Sequence, residues 1–413
     1  MLECIIYYLI LSSFLSLVIG LIYAKIYSPF WFHQPVYHIY EIFPYFRLSN
    51  EPYLKQIHLP RRGVFYTPNP IETTAVHDTD LTLFISLLQG HYLDNTTHLL
   101  NVTKSNFMKI HSDGSSLISG YYENRMIPPT FHSVMDKTHV YGMITSRPIQ
   151  LSFLDYPSKN ILAHYLDYIC VHEKYRAKNI SRNLIQTHIY NHRHQNPTFS
   201  GVYIFKKDIE SCKAVVPLVS TTNYTFILHS TPINKLPLHF SVRRLAKKHI
   251  HVWRGIYSKI METFKVCVLP DFVSTLDWLA DDSRYYIYMA VFKTKHAEDI
   301  LSVYIFENTD VSWEYSETQT KPNMLRLTAS LVVGNQSDEL YYFRGFLHSL
   351  KDILRNAKEF GILEIPNVSH NQIILERWRE KYELRNETLL YYYLYNMVYP
   401  RSPLFNRDFI CIT

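Results

Sequence analysis

The sequence predicts a mixed α/β protein built from two tandem halves of comparable size behind a single membrane-spanning helix. Three observations carry that expectation. At 413 residues the chain is long enough for two or three domains. Its composition, 47% hydrophobic and 19% charged with 20 Pro and 11 Gly, excludes a disordered or low-complexity chain. Short blocks of β-branched and aromatic residues alternate with helix-spaced apolar residues on both sides of about residue 230, with no short repeat and no Gly/Ser linker.

The membrane-spanning element is expected from Cys4 to Ala24, where CIIYYLILSSFLSLVIGLIYA carries no charge. About 20 apolar residues at 1.5 Å each match a hydrocarbon core of roughly 30 Å. Glu3 and the lack of a small-residue cleavage site favour a retained anchor over a signal peptide. Lys25, Arg47, Lys55, Arg61 and Arg62 follow it, so the positive-inside rule places a single-pass chain with its folded body facing the cytoplasm. The sequons at Asn95, Asn101, Asn179, Asn223, Asn335, Asn367 and Asn386 are then chance products of composition and stay bare. The expected division is 1–26 anchor, 27–230 first half and 231–413 second half.

In the first half, residues 141–154 (YGMITSRPIQLSFL) and 164–171 (HYLDYICV) have strand composition. Ile180, Leu184, Ile185 and Ile189 then share one helical face, with Asn179 placed to cap it. In the second half, RYYIYMAVF and DILSVYIF form neighbouring strands, and GFLHSLKDILRNAKEFG has helical spacing ending at a glycine. ETLLYYYLYN and the apolar tail FNRDFICIT close the chain, the tail being expected buried.

Several classes of function are disfavoured. A net charge of +6 without a dense basic tract argues against nucleic acid. Five scattered cysteines without a C-x-x-C pair give neither a zinc site nor a disulfide framework, and no metal site is expected. The basic turn between the strand ending at Val171 and the helix from Ile180 is an anion-binding arrangement. Arg176, Lys178 and Arg182 surround a helix start whose amides also point at any anion there.

Residues 165–178, YLDYICVHEKYRAK, resemble E-I-N-F-L-C-V-H-K-K-L-R-S-K, the signature of the glycylpeptide N-tetradecanoyltransferase (N-myristoyltransferase) family. FWFHQPV (30–36) is similar to the family's F-W-x-T-Q-P-V, QGHYLDN (89–95) to N-E-N-Y-V-E-D, YGMITSRP (141–148) to V-G-F-I-S-A-I-P, and YYLYN (392–396) to Y-Y-L-Y-N-W. The landmarks occur in the family's order, and the resemblance covers about residues 28–413.

This resemblance implies two acetyltransferase-like (GNAT-like) halves related by a pseudo-twofold axis, the first binding acyl-CoA and the second supplying most of a peptide groove. The implied reaction passes a long acyl chain, such as myristoyl, from CoA to the amine of an N-terminal glycine by direct addition and elimination. It involves no acyl-enzyme, no permanently held cofactor and no partner subunit. By position, Phe30 and Trp31 pack on the coenzyme; Cys170 and Val171 lie beside it; Arg176, Ala177, Lys178, Asn179, Ile180 and Ser181 hold its phosphates. The backbone amides of Tyr168 and Ile169 become the oxyanion hole, and the carboxylate of Thr413 the base. Tyr92, Asp94 and Asp167 line the acceptor side. His172 and Cys170 are expected to be structural, and Cys4 is a weak candidate for palmitoylation.

The departures fall in the acceptor half of the site. Asp167 stands where the family has asparagine, KYELRNE (381–387) replaces its glycine-rich segment, Ile204 its threonine, and Val332 and Val333 a polar pair. Two other readings therefore stay open: an acyl-CoA-binding protein without transfer, and an acyltransferase for a different amine.

Overall fold

Most strands here are built from runs such as YYIYMAVF and VYIF, whose bulky β-branched and aromatic residues fit a pleated surface buried on both faces. The computed structural model describes residues 2–46, 49, 51–93, 98–127, 132–156, 160–228, 235–280, 284–293, 298–313, 321–333 and 339–413. Asp94, the sequons Asn95 and Asn335, and the expected junction of the halves at 230–231 lie outside the described residues.

The first half holds helices α1 (Leu2–Tyr27), α2 (Pro29–Phe32), α3 (Phe43–Phe46), α4 (Thr82–His91), α5 (Lys104–Ile110) and α6 (Ile180–Gln195). Its strands are β1 (Tyr53–Leu54), β2 (Ile71–Ala75), β3 (His98–Leu100), β4 (Leu117–Ile127), β5 (His132–Phe153), β6 (Ile161–Val171), β7 (Tyr203–Lys207) and β8 (Val219–Ile227). The second half adds β9 (Phe240–Arg244), α7 (Ile250–Thr263), β10 (Val266–Leu269), α8 (Phe272–Ala280), β11 (Tyr285–Lys293), β12 (Glu298–Trp313) and β13 (Asn323–Val332). It ends with α9 (Glu339–Asn356), β14 (Phe360–Pro366), α10 (Asn371–Arg379), β15 (Leu384–Tyr395), β16 (Met397–Val398) and β17 (Phe409–Cys411).

One sheet runs through both halves in the order β17-β10-β5-β6-β7-β15-β8-β14-β13-β12-β11-β9, with β4 on β5, β2 on β4 and β3 on β12. This is the mixed α/β architecture expected. The halves exchange strands: β15, from the end of the chain, lies between β7 and β8, and β10 pairs antiparallel with β5.

Each half contains a parallel pair that separates. Strands β6 and β7 are bonded only from His164–Leu166 to Tyr203–Phe205, and β13 and β14 only over Asn323–Arg326 and Phe360–Glu364. A helix follows the first strand of each pair, α6 after β6 and α9 after β13.

Helix α9 ends at Asn356, four residues short of the glycine-terminated helix read from the sequence, and Phe360 and Gly361 already belong to β14. The space at Gly361 explains its glycine, since a Cβ there would meet Pro322 Cβ at 2.6 Å.

Helix α1 is 26 residues long and leaves Leu11, Phe14, Leu15, Ile19, Ile22 and Ile26 exposed. The side chains of residues 1–4, 6, 9 and 10 are not among those described. Among the described residues no helix is long and apolar enough to cross a membrane, so the expected span finds no support in the structure.

Candidate functional site

Beyond Leu166 the separation of β6 and β7 opens a cavity of about 280 Å³, lined among others by Ser28, Phe30, Trp31, Ile169, Ser181 and Arg182. Trp31 stacks on Phe205 of β7 with ring centroids 5.2 Å apart and planes 7° apart, and Phe30 packs edge-on against Trp31 at 4.8 Å. Gln34, in the same segment, donates to Gln186 of α6 at 2.8 Å and accepts from the Tyr395 hydroxyl at 2.9 Å. The FWFHQPV and YYLYN segments are therefore linked by a buried hydrogen-bond chain that fixes the cavity wall. Asn396 completes it: left-handed at φ 61°, it bonds to the main chain of Gln56 and Ser200 through its side chain.

The basic turn is arranged differently from the sequence expectation. Asn179 precedes α6, but at φ 60° its side chain accepts from Arg182 at 2.9 Å and caps no helix amide. Arg176 donates to the carbonyls of His91 at 2.6 Å and Val171 at 3.2 Å, and Lys178 lies over the Tyr175 ring. Those cations are partly engaged by the protein itself. Ala177 is also left-handed, at φ 63°, so the turn is shaped by its backbone, and Ser181 in the first turn of α6 is among the residues that reach the cavity. Ile180 is core.

Cys170 points the other way, into the core beneath α4, where its thiol donates to Leu87 O at 3.7 Å and burial pushes its pKa up to about 12. It is placed as packing. Val171 packs at the edge of the core around Trp31. His172 caps the short turn after β6 by accepting from Lys174 N at 3.3 Å.

On the other side of Leu166, Ile169 and Lys207, residues common to both spaces, lies a groove of about 510 Å³. Tyr92, Asp167, Tyr168, Ile169 and Thr413 all line it. The β6 register slips between Met143 and Thr145 of β5, so Tyr168 and Ile169 form a bulge, with Tyr168 at φ 42°. A bulge turns backbone groups out of the sheet ladder. The Tyr168 ring packs against Tyr92 and Phe107, at 5.5 and 5.6 Å, which holds this left-handed residue in place.

Thr413 reaches the groove because β17 runs parallel to β10, with Ile412 N bonded to Val268 O at 2.9 Å and the Tyr285 hydroxyl donating to Thr413 O at 3.3 Å. Asp167 accepts from Tyr168 N at 3.0 Å and from Arg147 at 3.3 Å.

The residues that sequence reasoning missed are charged groups crossing the groove floor. Arg284 pairs with Glu307 at 2.7 Å and Asp310 at 3.1 Å, Arg326 with Glu307 at 3.6 Å and also with Glu364, and Glu364 accepts from Asn223 at 2.8 Å. Burial raises the Glu364 carboxyl, but Arg326 and Lys206 outweigh it and hold it below its ordinary value. Lys206 contacts Asn223 at 3.4 Å, and burial together with Arg326 lowers its pKa to about 8. The available signal was a single charge inside an apolar strand, as in YIFEN, MLRLTAS and GILEIP.

Ile204 is fully buried away from the groove, while Val332 and Val333 pack at the edges of two hydrophobic cores. KYELRNE, which lacks glycine, leads into β15 from Leu384, and its Tyr382 stacks on Trp378 at 3.8 Å. Among the described residues no group of three or more His, Cys, Asp or Glu could hold a metal.

No protein-family model and no curated protein matches the sequence. Solved structures do match in shape. Saccharomyces cerevisiae N-myristoyltransferase with bound myristoyl-CoA and inhibitors superposes with a TM-score of 0.66 at 13% identity, covering 92% of this chain and 93% of that one. A second structure of that enzyme with myristoyl-CoA gives 0.64 at 12% identity over 89% and 87% of the two chains. The fold is that of N-myristoyltransferase.

Proposed function

We propose that the protein is an acyltransferase that passes a long fatty acyl chain from acyl-CoA to the α-amine of a peptide with N-terminal glycine. One observation carries this reading: the Tyr168–Ile169 bulge and the Thr413 carboxylate border the same groove, which shares Leu166, Ile169 and Lys207 with the cavity between the separated strands. Acyl-CoA would enter the cavity with its phosphates at the start of α6, where the first amides have no intrahelical acceptor. Its thioester carbon would then lie beside the bulge.

The Thr413 carboxylate takes a proton from the acceptor ammonium, whose pKa near 8 leaves a free amine accessible to a modest base. The amine nitrogen bonds to the carbonyl carbon, and the oxyanion is held by the amides of Tyr168 and Ile169. Collapse breaks the C–S bond, and the excess proton on the attacking nitrogen passes to the departing sulfur, which leaves a neutral amide and the CoA thiol. Asp167, which lines the groove, would hold the ammonium before attack.

Single-turnover transfer from labelled myristoyl-CoA to a set of N-terminal glycine peptides, with coenzyme binding followed in parallel, tests the proposal. Acylated peptide supports it; tight coenzyme binding with no product on any peptide overturns it. The second outcome describes an acyl-CoA-binding protein without transfer, a reading favoured by the Tyr168 amide being already hydrogen-bonded to Asp167. For location we propose a membrane-associated protein, supported by the exposed apolar side chains of α1, with its body on the cytoplasmic side, a reading supported by the basic residues Lys25, Lys55, Arg61 and Arg62. Recovery of the full chain entirely in the soluble fraction of lysed cells would rule that out.

A further inference from the structure

Asp167 is where the bulge and the charges of the groove meet. Oδ1 accepts the Tyr168 N–H at 3.0 Å and Oδ2 accepts from Arg147 Nη2 at 3.3 Å. Arg147 is itself buried, with its guanidinium over the Tyr165 ring at 5.5 Å, so it anchors the carboxylate from below. The amide held in this way is one of the two that the transferase reading assigns to the oxyanion. A hydrogen bond to a carboxylate belongs to the stronger class, and an amide so engaged is not free for a second acceptor. Losing one oxyanion donor slows acyl transfer by about 10²–10³-fold. The acceptor's ammonium, arriving in the same groove, competes with the amide for the carboxylate.

We propose that Asp167 is a catch that keeps the bound thioester unreactive until an amine is present. This rests on the transferase reading. Without acceptor, the carboxylate occupies the Tyr168 amide and protects acyl-CoA from water. With acceptor, it turns to the ammonium and frees the amide for the oxyanion. The reaction suppressed is hydrolysis: a water oxygen bonds to the carbonyl carbon, the C–S bond breaks, and the water's protons end on the thiolate and the released fatty acid.

The test follows release of the CoA thiol from myristoyl-CoA by the full chain without peptide, beside coenzyme binding, and then transfer with a glycine peptide added. D167A is expected to hydrolyse myristoyl-CoA about 10-fold faster than the wild type or more, with binding unchanged. D167N keeps an oxygen for the Tyr168 N–H but loses the charge. Its hydrolysis is expected to fall between that of the wild type and that of D167A, because a neutral oxygen holds the amide less firmly than a carboxylate does, while its KM for a glycine peptide rises about 10-fold. If D167A does not fold, D167E serves, since it keeps a carboxylate for Arg147 but carries it past the adjacent amide. Equal hydrolysis in the wild type and in D167A, or in D167E where D167A does not fold, overturns the catch. A wild type that binds myristoyl-CoA but acylates no peptide overturns the transferase reading, and the hydrolysis comparison still decides the catch. A folded wild type that does not bind myristoyl-CoA overturns both.

Discussion

Helices α6 and α9 occupy the same place in the two halves, each following the first strand of a parallel pair that separates, yet they are packed by different chemistry. Against the sheet, α6 presents Thr187, His188, His192 and Arg193 as well as Leu184 and Ile185. His188 bonds to Ser119 and Ser146, both at 2.8 Å, and His192 to the Tyr203 hydroxyl at 2.8 Å. Helix α9 presents Tyr342, Phe343, Phe346 and Leu350, with Phe346 stacked on Phe306 at 5.9 Å and edge-on to Trp378 at 5.3 Å.

The separations differ as well. Between β6 and β7 there is a cavity. Beside β13, the segment around His370 takes the place of the missing strand contacts, with Val332 N donating to His370 Nδ1 at 3.0 Å and Ser330 Oγ to Asn371 at 2.6 Å. One half keeps an open cleft between its separated strands; the other has filled the corresponding one. Duplication of a shape therefore does not duplicate the site.

The largest expected effect of this difference is with pH. Burial, reinforced by the neighbouring histidines, lowers His164 to about 2 and His188 to about 3, and burial together with Arg193 lowers His192 to about 4. The unfolded chain protonates these rings near pH 6.5, whereas the folded one leaves them neutral, so their contribution is complete above about pH 6.5 and falls as pH drops, down to about 4 for His192, about 3 for His188 and about 2 for His164. At pH 5 the loss is on the order of 2 kcal/mol for each histidine. Hydrogen exchange should show α6 losing protection at higher pH than α9. Simultaneous loss at every pH would mean that the exchanged strands unfold the halves as one unit.

At the junction, a chain ending before Ile412 should lose more than about 10³-fold in transfer, because the proposed base goes with it, while acyl-CoA binding in the first half changes less than about twofold. Unchanged turnover would remove Thr413 from the chemistry. In the core beneath α9, W378A should cost about 3–5 kcal/mol in urea denaturation, since Trp378 is fully buried against Phe346, Phe343 and Tyr382. A loss below about 1 kcal/mol would show that this core is loosely packed. The smallest expected effect is that of G345A, where an added Cβ would meet the Tyr304 hydroxyl at 2.5 Å. The expected cost is about 1–3 kcal/mol by the same assay, and a neutral result would mean that α9 can lift from the sheet without penalty.

Local order was legible in the sequence where one element carries its own period. The helix from Ile180 and the strands around residues 141–154, 164–171 and 285–306 were all readable, since side-chain spacing reports a face without needing a partner. The partners themselves were not readable. Nothing in ETLLYYYLYN indicates that it inserts between two first-half strands, because a tyrosine-rich strand fits many neighbours. Motif likeness placed Trp31, Tyr168 and Thr413 around connected spaces, but it gave no hint of Arg147, Arg326 or Glu364, which face the groove as single charges from apolar strands. Nor could it show that Asn179 makes no cap, since a left-handed backbone at that position is a tertiary outcome.

The position of β15 also bears on how the protein is made. Strands β7 and β8 leave the ribosome early, but the strand that belongs between them is among the last to be synthesised. At about 5–20 residues per second, the roughly 160 intervening residues take some 8–30 s. Throughout that interval two first-half strands have open edges, which are templates for aggregation. Nascent chains halted before Leu384 should accordingly be rich in bound chaperone, and release from it should coincide with emergence of the YYLYN strand.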